Sequence, residues 1–417
     1  MNILIVGSGG REHAIVKSLR NSASVDKIYC APGNGGISCD AEAVAISAMD
    51  FDGLVAFAKD HVDYTVVGMD EPLVAGIVDV FESAGLKVFG PSKLAAEIEG
   101  SKSFAKEFMK KYHIPTANYE CFDISTYESA LAYVKNSVFP LVIKADGLAL
   151  GKGVVICQNL EEANAALSEM LFQEKFGESG HKVVIEEFLE GTELSVLAFC
   201  DGKTIKPMAP AKDYKRAYDN DEGLNTGGMG SISPPPFYTD EMSKECMDKI
   251  FVPTFEGMAK EGRPFKGILF FGLISTKDGV KVIEYNCRFG DPETQSVLMR
   301  FESDLSEIFL ACINGTLDQA ELKWKREAAV CVVIASGGYP EHYEKGFEIM
   351  GIDSCPDDIS LLHAGTLFKN GKFYSNGGRV IGVCALSETL EKAREKAYSA
   401  AKDIRFQDAR FRSDIGK

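Results

Sequence analysis

The first hundred residues keep changing hydrophobic period, and that alternation restricts the fold more than any other property of the chain. Ile3–Val6 reads as a wholly apolar strand, Glu12–Leu19 as a helix, Lys27–Cys30 as a strand and Phe51–Lys59 as a helix. Tyr64–Val67, Glu71–Ser83 and Lys87–Phe89 continue as strand, helix and strand. Strands apolar along their whole length are buried on both faces, and strands joined by helices pair in parallel through right-handed crossovers. The pattern predicts a doubly wound parallel sheet over residues 1–100. Its ligand crevice is expected at the carboxyl ends of the strands.

From Ser101 the character changes. A helix (Ser101–Lys111) precedes predicted strands at Ala117–Cys121, Leu141–Lys144, Val154–Cys157 and Lys182–Glu187, interleaved with helices Tyr127–Lys135 and Leu160–Met170. Antiparallel-type strands Glu193–Cys200 and Lys203–Pro207 follow, then a polar loop, Met208–Pro236, with no clear period. A loop of that length inside a domain is usually functional or disordered. Helix Asp240–Glu261, strands Gly267–Ser275 and Val280–Tyr285, and helices to Ile313 complete the middle of the chain. Strand Ala329–Ala335, hairpin-like runs through Val383 and helix Glu388–Ile404 read as a small α+β domain. A chain of 417 residues exceeds one ordinary core. We expect domains at 1–100, 101–325 (with a mobile lobe at about 118–190) and 326–417.

A formal net charge of −16 argues against nucleic acid or an anionic membrane as the main partner. No apolar run is long enough to span a bilayer. The chain opens directly on Met1-Asn-Ile-Leu-Ile-Val6 without a basic leader, so a cytoplasmic location is expected. The eleven Cys include no C-x-x-C pair and the six His are scattered, which speaks against a disulfide framework or a zinc site. Anionic substrates then need local positive charge, and the lysines and arginines in glycine-rich loops become informative.

Five segments carry chemistry. In Lys281-Val-Ile-Glu284-Tyr-Asn286-Cys-Arg288, the three polar residues fall two apart and share one face of an extended chain. A carboxylate and an amide oxygen suit Mg²⁺ held against phosphates, and a guanidinium can brace a phosphoryl group. A solvated edge strand is the alternative, weakened by the turn and further charge of Arg288-Phe-Gly-Asp291-Pro-Glu-Thr-Gln. Gly7-Ser-Gly9-Gly10-Arg11-Glu12 follows the first strand and can cradle an anion at a helix N-terminus, with Asn34 of Pro32-Gly-Asn-Gly-Gly36 beside it. Glu12 stands where the dinucleotide fingerprint needs its last glycine, which disfavours a dehydrogenase. Lys144-Ala-Asp-Gly147-Leu-Ala-Leu-Gly151-Lys152-Gly153 lies between two strands and is no Walker loop; it reads as a flap over nucleotide phosphates. Glu186-Glu187-Phe188-Leu189 ends a strand where two lobes must connect, with Glu193 just beyond. Finally Lys212-Asp213-Tyr-Lys215-Arg216 and Asn225-Thr-Gly227-Gly228-Met-Gly230 sit in the long loop, the glycines allowing close backbone approach to a ligand.

These pieces, in this order, resemble the ATP-grasp superfamily and, within it, the phosphoribosylamine–glycine ligase family. The matching stretches are G-S-G-G-R-E-H at 7–13, A-P-G-N at 31–34, K-A-D-G-L-A at 144–149, G-K-G-V at 151–154, N-T-G-G-M-G at 225–230, E-Y-N-C-R-F-G-D-P-E-T-Q at 284–295 and N-G-G-R-V at 376–380. The resemblance implies a central ATP-grasp fold of two lobes. It implies ligation of glycine to 5-phosphoribosylamine with ATP as co-substrate and Mg²⁺ (or Mn²⁺) on Glu284 and Asn286. Arg288 would face the transferred phosphoryl group, and Asp213 or Asp291 would orient or deprotonate the amine. Lys106, Lys144, Gly151, Lys152, Gly153, the Glu186–Leu189 connector and Glu193 would hold ATP. Gly9, Gly10, Arg11, Asn34, Asp70, Asn225, Gly227, Gly228, Asp291 and Arg379 would surround phosphoribosylamine. A monomer or weak dimer is expected.

Gly68-Met-Asp70-Glu71 departs from the family's G-P-E, leaving open which acid faces the substrate. Leu224 replaces a family proline, and Gly267–Ser275 lacks the second acidic metal ligand common in the superfamily. A ligase for another acid or amine, and a nucleotide-binding regulator without turnover, remain the competing readings.

Overall fold

The computed structural model describes residues 1–148, 153–172 and 181–417. Strands β1 (Asn2–Gly7), β2 (Lys27–Pro32), β3 (Glu42–Ala43), β4 (Tyr64–Val67) and β5 (Val88–Phe89) form a sheet in the order β3-β2-β1-β4-β5, and every pairing is parallel. Alternation along β1 explains how this sheet is buried. Leu4 and Val6 pack with Leu54, Ala58, Ile77 and Phe81 of the helices on one face. Ile3 and Ile5 pack on the other with Ile15 and Leu19, then with Phe289, Phe309 and Val333 from far along the chain. The predicted helix Glu71–Ser83 is broken in two at Gly76, whose φ of 100° is left-handed.

The next sheet, β6 (Tyr119–Asp123), β7 (Leu141–Ala145), β8 (Val154–Cys157) and β9 (Lys182–Glu187), is antiparallel in the order β6-β9-β7-β8. Helices Tyr127–Lys135 and Leu160–Phe172 cover one face, giving a lobe with a core of its own around Val134, Ile143, Leu167 and Ile185. Residues 188–191 connect β9 to β10 (Thr192–Asp201), which pairs with β11 (Ile205–Pro207).

The stretch expected to be an unstructured loop, Met208–Pro236, is not one. It contains β12 (Lys212–Asp213), β13 (Arg216–Tyr218), β14 (Glu222–Asn225) and β15 (Gly230–Ser233). β13 and β14 make a hairpin, while β12 and β15 pair with each other. β15 then pairs with β18 (Ala328–Ala335), a strand about a hundred residues later, so no local period announces it.

Strands β16 (Lys266–Thr276) and β17 (Gly279–Asn286) complete the large central sheet, in the order β11-β10-β16-β17. A bulge shifts their register between Gly272 and Leu273, opposite Glu284 and Val282. The last unit sets β22 (Arg379–Ser387) beside β18 and β19 (Ile359–His363) beside β22, with helix Leu390–Asp403 packed on them and a small hairpin, β20 (Thr366–Lys369) and β21 (Lys372–Ser375), at its edge. The N-terminal sheet, the large central sheet and the C-terminal sheet share one apolar cluster, which includes Ile5, Phe199, Phe270, Val333 and Cys384. Among the described residues, the small lobe contributes nothing to it. Among the described residues, no helix is long and apolar enough to cross a membrane.

Candidate active site

The end of β17 carries the polar triplet. Asn286 Nδ2 donates to Glu99 Oε1 at 2.8 Å, and the backbone N–H of Cys287 donates to Glu99 Oε2 at 2.7 Å. That bond fixes the amide: the nitrogen faces Glu99 and the oxygen is left as the free end. Arg288 is fixed by the same carboxylate, with Nη2 3.4 Å from Glu99 Oε1 and 3.7 Å from Asp70 Oδ2. Its Nε is buried without a hydrogen-bond partner among the described residues. Burial opposes the charge of Glu284, but Lys215, Lys144, Lys102 and Arg288 together hold its carboxyl below the usual range. Glu99 does this bracing from helix Lys93–Gly100, and no sequence motif marks it.

Ser101 then ends that helix and caps the next, accepting from the N–H of Phe104 at 3.1 Å. The new helix, Lys102–Lys111, points Lys102 and Lys106 the same way, four residues apart. Lys102 Nζ donates to the carbonyl of Gly147 at 2.8 Å. Lys106 Nζ lies 3.0 Å from Glu186 Oε2, and Lys144 Nζ lies 2.9 Å from Glu186 Oε1, an ion-pair distance without hydrogen-bond geometry. All three groups are buried. Burial pushes the Lys106 ammonium down to about 8 even though Glu186 opposes the shift. Lys144 Nζ also donates to the carbonyl of Ile283 at 3.2 Å, tying the small lobe to the strand that carries Glu284. Glu187 is used differently: it accepts from the N–H and side chain of Asn118 at 2.9 and 3.0 Å. Phe188 is exposed and Leu189 half-buried in the connector. Gly153 accepts at its carbonyl from the N–H of Ala145 at 2.8 Å, at the base of the flap. Gly151 and Lys152 lie outside the described residues.

A second charged group meets this one. Lys215 Nζ sits 3.2 Å from Glu193 Oε2 and 3.7 Å from Glu284 Oε1. Glu293, buried, accepts from Ser195 Oγ at 2.9 Å. Burial and the carboxylates of Glu293, Glu193 and Glu284 push Asp213 up to about 8, against the pull of Lys215. Burial likewise works against the charge of Lys215, yet Glu193, Asp213, Glu284 and Glu293 keep its pKa well above the ordinary lysine value. Glu193 of β10, Asp213 of β12 and Glu293 of the helix after β17 thus converge on the Lys215 ammonium. Glu293 and Lys215 had a sequence signal, since both lie in motifs already singled out, but only their convergence gives them a role.

The third cluster surrounds Asp291. Arg379 Nη1 lies 3.2 Å from Asp291 Oδ1 and donates to the carbonyls of Asp291 at 2.9 Å and Gly227 at 2.7 Å. Gln295 donates to Asp291 Oδ1 at 2.8 Å. Burial favours the neutral acid, but Arg379, Arg11 and Gln295 hold Asp291 below the usual range. Gly228 packs against Pro292, and a Cβ on Gly9 would stand 3.3 Å from Asp291 Oδ2, so both glycine loops close around this acid. Asn225 lies half-buried at the end of β14.

Two predicted ligands are occupied by the protein itself. Arg11 donates to Glu12 Oε1 at 2.7 Å and to the carbonyl of Phe289 at 3.0 Å. Asn34 donates to the carbonyls of Ser8 and His363 at 2.9 and 2.8 Å and accepts from the N–H groups of Gly36 and Ile37. The first glycine crevice is also filled: Glu12 accepts from the N–H of Gly9 at 2.6 Å, and a Cβ on Gly7 or Gly68 would stand 2.5 or 2.3 Å from its side chain.

Three family models match this chain: the N domain of phosphoribosylglycinamide synthetase over residues 1–99, its ATP-grasp (A) domain over 100–294 and its C domain over 329–417. The chain belongs to the phosphoribosylglycinamide synthetase family. It is 49% identical over 420 residues to the phosphoribosylamine–glycine ligase of Pasteurella multocida, covering 100% of this chain and 97% of that one. The crystal structure of the Thermotoga maritima phosphoribosylamine–glycine ligase matches with a TM-score of 0.86 at 35% identity, covering 100% of both chains. The biotin carboxylase domain of Hydrogenobacter thermophilus 2-oxoglutarate carboxylase, solved with MgADP, ADP and bicarbonate, matches with a TM-score of 0.75 over 98% of this chain and 91% of that one. At 15% identity that last likeness is one of fold alone. The parallel N-terminal sheet, the two-lobed ATP-grasp centre and the small C-terminal unit expected from sequence are those of the phosphoribosylglycinamide synthetase family.

Proposed function

We propose that this chain joins glycine to 5-phosphoribosylamine at the expense of ATP, giving glycinamide ribonucleotide, ADP and phosphate through glycyl phosphate. One observation carries most of the weight. Lys106, Lys144 and the connector acid Glu186 form a buried charged group tied, through Lys144 and the carbonyl of Ile283, to the strand that presents Glu284 and Asn286. A polyphosphate bridging these two surfaces would meet cations on one side and hard oxygen donors on the other.

The donor set fits Mg²⁺, or Mn²⁺ in its place. Glu284 is held ionised, and the Glu99 bond leaves the amide oxygen of Asn286 as the free end. Bound there, the metal would neutralise charge on the phosphates of ATP. The rest is positioning by the chain. Lys144 and Lys106 exchange part of their contact with Glu186 for nucleotide phosphates, while residues 186–189 line the adenine and Glu193 takes a ribose hydroxyl. A carboxylate oxygen of glycine attacks the terminal phosphorus, and the bond to ADP breaks. Arg288, with its unpartnered Nε, braces the moving phosphoryl group. The amine of phosphoribosylamine then attacks the acyl carbon, phosphate leaves, and the amine surrenders a proton. Asp291, held ionised by Arg379, has an unprotonated carboxylate to take that proton; Asp213, which keeps its own proton in the empty site, suits orienting the amine. Gly9, Gly10, Asp70, Gly227, Gly228 and Arg379 border the space for the sugar phosphate.

The same reading places the enzyme in the cytoplasm as a monomer or weak dimer, with domains at 1–100, 101–325 and 326–417, the lobe at about 118–190 moving over the nucleotide. ADP release should require ATP, Mg²⁺, glycine and freshly made phosphoribosylamine together. Release that persists when either small substrate is omitted would sink the assignment. ATP binding without any ADP would point instead to a regulator.

A further inference from the structure

The last residues of the chain turn back onto the segment that carries Asp213 and Lys215. Arg412 is the centre of this contact, its side chain 1% exposed. Its guanidinium donates from Nη1 to the carbonyl of Arg216 at 3.1 Å and to Asp221 Oδ1 at 2.8 Å. From Nε and Nη2 it donates to both oxygens of Asp414 at 2.8 and 2.7 Å. Asp414 passes the contact on, accepting from the N–H of Asn220 at 2.8 Å. Asp219 accepts from the N–H of Ser413 at 2.8 Å and from its hydroxyl. Arg410 donates to the carbonyl of Ala217 at 2.7 Å, and the N–H of Gly416 donates to Tyr214 Oη at 3.0 Å. The tail thus reaches Tyr214, Arg216, Ala217, Asp219, Asn220 and Asp221.

What the tail holds is unusual backbone. Asn220 and Asp221 both have left-handed φ, 60° and 55°, in a turn that no glycine relieves until Gly223. Such conformations persist where surrounding bonds over-determine them. Here those bonds come from Asp414 and Arg412. Just before the turn, the carbonyl of Lys215 accepts from the N–H and hydroxyl of Thr226, both at 2.8 Å, and its ammonium reaches Glu193 and Glu284 on the large central sheet.

We propose that Arg412 is a positioning residue that acts through Lys215. By fixing the β13–β14 hairpin it sets where the Lys215 ammonium stands relative to Glu193 and Glu284. Lys215 is then the cation that holds these carboxylates ready in the empty site and yields them when a metal–nucleotide complex arrives. The inference rests on the ligase reading for its activity measurement, but not for its binding measurement.

The test is a double-mutant cycle between Arg412→Met and Lys215→Met. In the wild-type background R412M should lower kcat for glycine- and phosphoribosylamine-dependent ADP release by about tenfold or more, with KM for ATP changed less than about threefold. It should also tighten binding of Mn²⁺ alone, read by electron paramagnetic resonance, by about threefold to tenfold, because a loosened Lys215 competes less well for the carboxylates. In the K215M background R412M should leave the Mn²⁺ Kd within about twofold. An unchanged Mn²⁺ Kd or kcat in folded R412M overturns the inference, and so does the same shift in both backgrounds, which a purely structural role would give. Should R412M fail to fold, Asp219→Asn, at the solvent edge of the same contact, takes its place in the cycle. Mn²⁺ coupling across the cycle, with no ADP release from wild-type protein, would overturn the ligase reading alone.

Discussion

Single carboxylates at this site differ by what stands next to them. Glu284 faces four cations and is held ionised; Asp213 lies among Glu293, Glu193 and Glu284 and keeps its proton to about pH 8. Glu284→Gln should cut ADP release at least about a hundredfold and raise the Mg²⁺ concentration needed for half-maximal rate, a shift that a titration with Mg²⁺ would read. For Asp213 the sign runs through the proton. Its folded pKa lies above the unfolded one, so the stability the proton contributes is complete below the ordinary carboxylate range and is lost as pH rises toward about 8. Asp213→Asn removes that loss. The melting temperature of ligand-free D213N, relative to wild type, should therefore climb between about pH 5 and pH 8; a flat difference would show that Asp213 is not the proton holder. The triplet Glu284, Asn286 and Arg288 was legible because strand period and side-chain chemistry coincide. Glu99, which orients two of the three, was not, since a lone Glu on an amphipathic helix carries no pattern of its own.

At the scale of elements, strands read best where both faces are buried, as in β1, β4 and β18. Short strands whose partners lie far away read worst. β12 and β15 vanish into an apparent loop because β15 pairs with the distant β18, and the short β13–β14 hairpin, though paired locally, is anchored by a tail far along the chain. The first turn shows a different failure of legibility. Gly7-Ser-Gly-Gly has the composition of an anion cradle, yet the crevice between Gly7 and Gly68 holds the carboxylate of Glu12. Gly7→Ala should consequently destabilise the fold by about 2–4 kcal/mol in urea, since φ is +145° and the new Cβ would stand 2.5 Å from Glu12. A loss below about 0.5 kcal/mol would mean that the crevice is looser than this packing implies.

Across the whole molecule, the cores are distributed unequally. One apolar cluster runs through the N-terminal, large central and C-terminal sheets, whereas the small lobe keeps Val134, Ile143, Leu167 and Ile185 to itself. Sub-global opening follows such boundaries. Amides of β6, β7 and β9 should exchange with deuterium faster than those of β1 and β18, and should slow when Mg·ADP binds; equal protection of all five strands would contradict a separately moving lobe. The shared cluster also bears on how a protein of this design can change over evolutionary time. Three of its sheets were shaped against one another, so a segment exchanged with a distant relative must replace matching surfaces in all three at once. The small lobe joins the rest at the approach to β6 and through residues 188–191, and it brings its own interior with it. It is the part that recombination can replace whole, leaving the chemistry of β17 behind and renewing only the cover above it.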